Sequence, residues 1–205
     1  MSKQYSVTIK NESQNAWDLC VYQHYDKEDT TGILVWLCKR CNPGTSVCFS
    51  WDDTYCFFWC EKGEFCQSVD AGFSSREFRE ADPADTARNS VNLSCADGAY
   101  KFTDPSGPEE GGKLYLHVDG MVPPGKVSAG FGMSDCPVYA VSAAPNMFYC
   151  FSLPEKYGVT FGNTKQGEYM DKAMADRGRS FTFPPGVNDL YVTLKEDNTW
   201  SDVSY

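Results

Sequence analysis

Polar and apolar residues alternate with a period of two along most of this chain, segment after segment, and each run is bounded by Gly, Pro, Asn or Asp. That period places successive side chains on opposite faces of a strand. Five strands are predicted in the first third: Tyr5 to Ile9, Trp17 to Tyr22, Ile33 to Cys38, Ser46 to Trp51 and Tyr55 to Cys60. Asp52-Asp53 between the last two predicts a hairpin turn, since a short carboxylate hydrogen-bonds the nearby backbone. Val91 to Cys95 and Ala99 to Thr103 flank Asp97-Gly98, a dipeptide that supplies the positive φ angles a tight hairpin needs.

The pattern resumes after Pro105-Ser106-Gly107-Pro108-Glu109-Glu110-Gly111-Gly112, whose composition is that of a loop. Strands are expected at Leu114 to Val118, Val127 to Met133, Val138 to Ala143, Met147 to Leu153, Val159 to Gly162, Ser180 to Phe183 and Leu190 to Leu194. Only Gly167 to Ala175 and Arg76 to Arg88 suit a helical turn or two. The later strands look like partners for the earlier ones, so residues 1–205 are expected to form one domain with a loop at 104–112. The predicted fold is all-β, an antiparallel two-sheet β-sandwich. Tyr5-Ser-Val7-Thr-Ile9-Lys-Asn11 aligns with Tyr157-Gly-Val159-Thr-Phe161-Gly-Asn163, which suggests an internal pseudo-repeat or a recurrent strand-then-turn pattern.

Charge narrows the partners. The 28 acidic and 18 basic residues leave a net charge of -10, which disfavours nucleic acid. No apolar stretch approaches the length that spans a bilayer, so no membrane partner is expected. The first ten residues lack the apolar run of a secretory leader, and a cytoplasmic location with mostly free thiols follows as the expectation.

Seven of the ten cysteines lie between positions 20 and 66. Trp17, Leu19 and Val21 alternate with Cys20, Val47, Phe49 and Trp51 with Cys48, and Tyr55, Phe57 and Trp59 with Cys56 and Cys60. A free cysteine packs as a small hydrophobe, so this arrangement predicts a sheet buried on both sides, one layer bulky and one thin. Cys38, Cys41, Cys66 and Cys136 remain as candidate reactive thiols. Cys38-Lys39-Arg40-Cys41 has zinc-knuckle or redox-dithiol spacing, and its basic residues favour a thiolate. A second ligand pair is missing, however, and Asn42-Pro43-Gly44 gives a turn where a redox motif wants a helix.

Both histidines sit in His-x-Asp triplets, His24-Tyr25-Asp26 and His117-Val118-Asp119. If neighbouring strands carried them, His24, Asp26, His117 and Asp119 could bind a divalent transition metal or act as acid and base. Otherwise they are solvated residues at strand ends, and no cofactor is expected. There is no Gly-x-Ser-x-Gly elbow and no phosphate-binding loop. Asn11-Glu12-Ser13 matches a glycosylation acceptor that matters only on a secretory route. Exposed aromatics could stack on a carbohydrate or another small ligand, although aromatics at strand spacing are commonly core.

Five short motifs occur in one order in the C-terminal half: Gly130-Phe-Gly-Met-Ser134, Ala144-Pro-Asn146, Val159-Thr-Phe-Gly-Asn163, Phe183-Pro-Pro185 and Asp197-Asn-Thr-Trp200. Tyr5-Ser-Val-Thr-Ile-Lys-Asn11, Cys20-Val-Tyr-Gln23 and Gly98-Ala-Tyr-Lys-Phe102 precede them. In this order the motifs resemble the RhiA-type family of rhizosphere-expressed proteins over nearly the whole chain. The resemblance implies a small all-β protein, abundant in rhizobia under quorum-sensing control, with no catalytic residues to carry over. The expected function is therefore non-catalytic binding, storage or self-association, the last favoured by aromatic strands with available edges. A small β-scaffold enzyme or metal-binding protein centred on the two triplets is the alternative.

Overall fold

A computed structural model describes residues 3–24, 32–61, 77–153 and 155–205. Among the described residues there are fifteen strands in four sheets and one short helix. The chain groups into two compact units, Met1–Asp53 with Pro154–Tyr205, and Thr54–Leu153. The 104–112 loop lies inside the second unit.

The first unit contains β1 (Gln4–Asn11), β2 (Trp17–Gln23), β3 (Leu37–Cys41), β4 (Ser46–Asp52), β13 (Tyr157–Gly162), the helix α1 (Lys172–Asp176), β14 (Arg179–Phe181) and β15 (Asp189–Leu194). One sheet has the order β15-β1-β4 and the other β14-β13-β2-β3. In β1 the alternation works as its sequence predicts, with Val7 and Ile9 fully buried and Lys10 exposed. The central strands behave differently. From Leu19 to Gln23 every residue of β2 is buried, and so is all of β13, which means both faces of that sheet are covered. Side chains from the two sheets meet where Trp51 of β4 lies 5.2 Å, ring to ring, from Tyr157 of β13.

Asn11, at the end of β1, is fully buried with all its amide groups used. Its Nδ2 donates to the carbonyls of Asn15 (2.9 Å) and Cys41 (3.1 Å), and its Oδ1 accepts from the Ser13 backbone N–H and hydroxyl. A buried amide is tolerated because its donors and acceptor are paired. The acceptor pattern at Asn11 is therefore occupied as a structural knot.

The second unit contains β5 (Tyr55–Cys60), β6 (Glu77–Ala81), β7 (Ser90–Ala96), β8 (Ala99–Thr103), β9 (Lys113–Val118), β10 (Ser128–Met133), β11 (Cys136–Ser142) and β12 (Phe148–Ser152). Its sheets are β11-β10-β5-β6 and β12-β9-β7-β8. Cys56 to Cys60 and the whole of β10 are buried. Ring contacts link the sheets, Trp59 to Tyr100 at 5.6 Å and Phe131 to Phe151 at 5.4 Å. β7 and β8 form the Asp97-Gly98 hairpin, with φ of 51° and 78° at the two turn residues. Among the described residues pairing is antiparallel except for β1 with β15 and β7 with β9.

Several sequence expectations are corrected. β4 and β5 are not a hairpin: β4 pairs with β1, and β5 with β6 and β10, in different sheets. Asp53 instead accepts the Lys3 backbone N–H at 2.8 Å. The stretch from Arg76 to Arg88 contains a strand, β6, rather than a helical turn. Ile33 to Trp36 are buried but precede the strand that starts at Leu37. Cys48 is exposed, so β4 is not covered on both sides as the thin-layer argument expects. The helical turn expected within Gly167 to Ala175 is present as α1, where the Asp171 carboxylate caps the Met174 N–H at 2.7 Å. The aligned segments at Tyr5 and Tyr157 become β1 and β13. β1 has a parallel neighbour whereas β13 is antiparallel on both sides, so they do not hold equivalent places.

Candidate functional site

β9 ends at Val118, which leaves His117 in the strand and sends Asp119 into a turn. The Asp119 Oδ1 accepts the Met121 N–H at 2.8 Å. His117 finds a different carboxylate: its Nε2 is 2.9 Å from Glu109 Oε1, and its ring lies 4.8 Å from Phe148. An imidazole held by a carboxylate is one part of a catalytic triad, but among the described residues no hydroxyl or thiol hydrogen-bonds His117. Glu109 belongs to the Glu109-Glu110 pair, and nothing in its spacing from His117 signals the contact.

His24 follows the end of β2, in the first unit. Its backbone N–H donates to the Lys156 carbonyl at 2.9 Å, and its ring lies 6.1 Å from Tyr22. Asp26 lies outside the described residues. Among the described residues, no group of three or more His, Cys, Asp and Glu side chains is placed to hold a metal ion.

The thiols resolve into distinct environments. Cys38 on β3 is directly opposite Cys20 on β2, with the Sγ atoms 3.3 Å apart. The hydrogen bond to Cys38, followed by burial, holds the Cys20 thiol far above its ordinary pKa. Cys41 is three residues on from Cys38 and points to the other face of β3, where its Sγ lies 3.3 Å from Thr45 Oγ1. The 38/41 spacing thus does not bring those two thiols together. Cys136 opens β11 opposite Met133, after a turn in which Ser134 and Asp135 have φ of 49° and 56°. Cys66 lies outside the described residues. The Cys20–Cys38 juxtaposition is not signalled by the sequence, in which Cys20 reads as core, which it also is.

The described surface offers a shallow open groove of about 360 Å³ in the first unit, lined by Phe181, Pro184, Leu190 and Tyr205, with the Arg179–Asp202 ion pair (2.8 Å) alongside. Among the described residues of the second unit β12 is an outer strand, and Phe148 and Cys150 are exposed on it. Met147, just before it, is also exposed. The Phe148 ring stacks on Tyr115 at 5.7 Å and also meets His117, so this edge carries a small aromatic cluster with Phe148 at its centre.

The RhiA family model matches residues 2–204. This chain belongs to the RhiA family. Protein RhiA of Rhizobium leguminosarum bv. viciae is 30% identical over 201 residues, covering 96% of this chain and 85% of that protein. No solved structure matches. For this RhiA-family chain the ordered motifs of the C-terminal half fall in defined places: Gly130 to Met133 in β10, Val159 to Gly162 in β13 and Trp200 opposite Leu194. They are strand and turn positions.

Proposed function

We propose that this RhiA-family chain acts without chemistry, as a binding or storage protein whose copies associate through the β12 edge. The architecture that goes with this reading is a two-sheet sandwich in each unit, supported by the ring contacts from sheet to sheet. The observation that carries the association is the composition of the outer strands. Exposed edges usually bear charge or proline, which blocks pairing with another chain. Lys39 and Arg40 do this on β3, Glu77 and Arg79 on β6, Pro137 on β11 and Lys101 on β8. β12, Phe148-Tyr-Cys-Phe-Ser152, has neither, and exposes Phe148 and Cys150.

Sedimentation velocity under reducing conditions tests this. The mass of the native chain should rise above the monomer with concentration, and Cys150→Lys should return it to the monomer. A chain that stays monomeric at every concentration, or an association that survives Cys150→Lys, would sink the proposal.

A further inference from the structure

Every strand pairing in the first unit has a counterpart in the second. β1 runs parallel to β15 and antiparallel to β4; β9 runs parallel to β7 and antiparallel to β12. β2 lies between β3 and β13, and β13 continues to β14; β10 lies between β11 and β5, and β5 continues to β6. The registers agree as well. Val7 faces Leu190 and Phe49, and Leu116 faces Val91 and Tyr149. Two residues on, Ile9 faces Val192 and Val118 faces Leu93. Val21 faces Val159 and Leu37, and Phe131 faces Phe57 and Tyr139.

The correspondence reaches single bonds and turns. Ser6 donates its N–H to the Asn188 carbonyl at 2.7 Å, and Tyr115 donates to Asn89 at 2.9 Å. Cys95 faces Tyr100 across a turn in which Asp97 and Gly98 have positive φ; Leu194 faces Trp200 across one in which Asn198 does. The sequence carries a trace of the same relation. Tyr55-Cys-Phe57-Phe-Trp59 leads to Lys62-Gly-Glu-Phe65, and Tyr157-Gly-Val159-Thr-Phe161 leads to Gln166-Gly-Glu-Tyr169.

In chain order, β1 to β4 match β9 to β12, and β5 to β8 match β13 to β15 with the segment that returns through Trp200. One module is thus read twice, over 4–103 and 113–205, with the 104–112 loop at the junction. The compact units do not follow the modules. The first unit takes the opening strands of one module and the closing strands of the other, and the second takes the remainder. All four sheets contain strands from both halves. A tandem pair of self-contained domains would show none of this crossing, whereas two copies that have exchanged strands show it throughout.

We infer that the chain is an interleaved duplication, and that the partner each half recognises is the complementary half, supplied in cis or by a second copy of this chain. Four ladders form the recognition surface: β1 with β15, β2 with β13, β5 with β10 and β7 with β9. This deepens the self-association reading by adding a second route, exchange of halves, which does not use the β12 edge.

A protease site placed after the exposed Gly107 tests it on the full chain, since a side chain there meets nothing within 4 Å. Once cut, the two pieces should co-elute as one particle of the uncut mass, with a thermal midpoint within a few degrees of the uncut protein. Each piece purified in denaturant should show no cooperative transition alone and regain it on mixing. Pieces that part in native buffer, or that fold separately, would overturn the interleaving. For exchange between copies, intact Val91→Asp and Leu190→Asp chains, each damaged in a different half, are unfolded and refolded together. A dimer with a native-like transition absent from either variant alone is expected, and its absence would overturn exchange. Neither readout changes with Cys150→Lys, so failure of the edge proposal and failure of this one are distinguishable.

Discussion

Cys20 and Cys38 face each other across β2 and β3 with 3.3 Å between their sulfur atoms. Directly opposed antiparallel residues hold their Cα atoms about 4.5–5.5 Å apart, inside the span of a disulfide. Cys38 is half-buried and Cys20 fully buried. Attack by Cys38 on glutathione disulfide would release one glutathione, and Cys20 would displace the second to close the bond. Treatment of the native protein with glutathione disulfide should therefore yield a Cys20–Cys38 disulfide, found by peptide mapping as a loss of two hydrogens. Cys38→Ser should remove it. A stable glutathione adduct on Cys38 as the end product would show that Cys20 is not positioned to resolve it.

Alkaline pH should destabilise the fold earlier than its acidic composition suggests. Burial, followed by the charge of Asp135, pushes the Cys56 thiol from 9.0 up to about 12, and burial pushes Tyr22 from 10.0 up to about 12. Both are raised, so the unfolded chain loses its protons first. Their contribution is complete below about pH 9 and is lost as pH rises towards 12. Urea midpoints measured at increasing pH should fall across that window, and Cys56→Ala should flatten the slope. A flat profile from pH 9 to 11 would contradict the assignment.

Gly130 and Gly98 separate two reasons for a glycine. A Cβ at Gly130 would stand 1.9 Å from the Tyr139 carbonyl oxygen on the neighbouring strand, backbone that cannot move without opening the ladder. At Gly98 there is open space, but φ is 78°. Gly130→Ala should cost several kcal/mol or prevent folding, and Gly98→Ala should cost on the order of 1–2 kcal/mol. Chemical denaturation compares them, and equal losses would show that β10 and β11 can spread.

At Asn11 the order of two substitutions is the test. Asn11→Ala leaves buried partners unpaired and should cost about 1–3 kcal/mol. Asn11→Asp at neutral pH sets a carboxylate against the Asn15 and Cys41 carbonyls that the amide now serves, and should cost more. The reverse order would mean that water enters the site.

Strands were legible in the sequence because alternation follows from a sheet with one wet face, as Val7, Ile9 and Lys10 show. The buried thiols at Cys20, Cys56 and Cys60 were legible for a related reason: β2 and β5 are covered on both faces, so small and bulky apolar residues share them. Partnership was not legible. Asp52 and Asp53 look like a turn whether or not the flanking strands pair, and period two says nothing of which strand lies alongside. β6 was hidden because a protected edge is written in charges, Glu77, Arg79 and Glu80, that also suit a helix. The His117–Glu109 contact depends on where a loop returns, which local spacing does not encode.

The parallel pairing of β1 with β15 sets a constraint on synthesis. β1 is complete at Asn11, yet its partner begins at Asp189. At roughly 5–20 residues per second, a ribosome needs on the order of ten seconds or more to deliver that partner. Throughout that interval Val7 and Ile9 have at most β4 beside them, and the opening strands must be kept from other nascent chains. In the cell, then, the yield of this protein should depend on how fast it is translated and on which chaperones guard the waiting half.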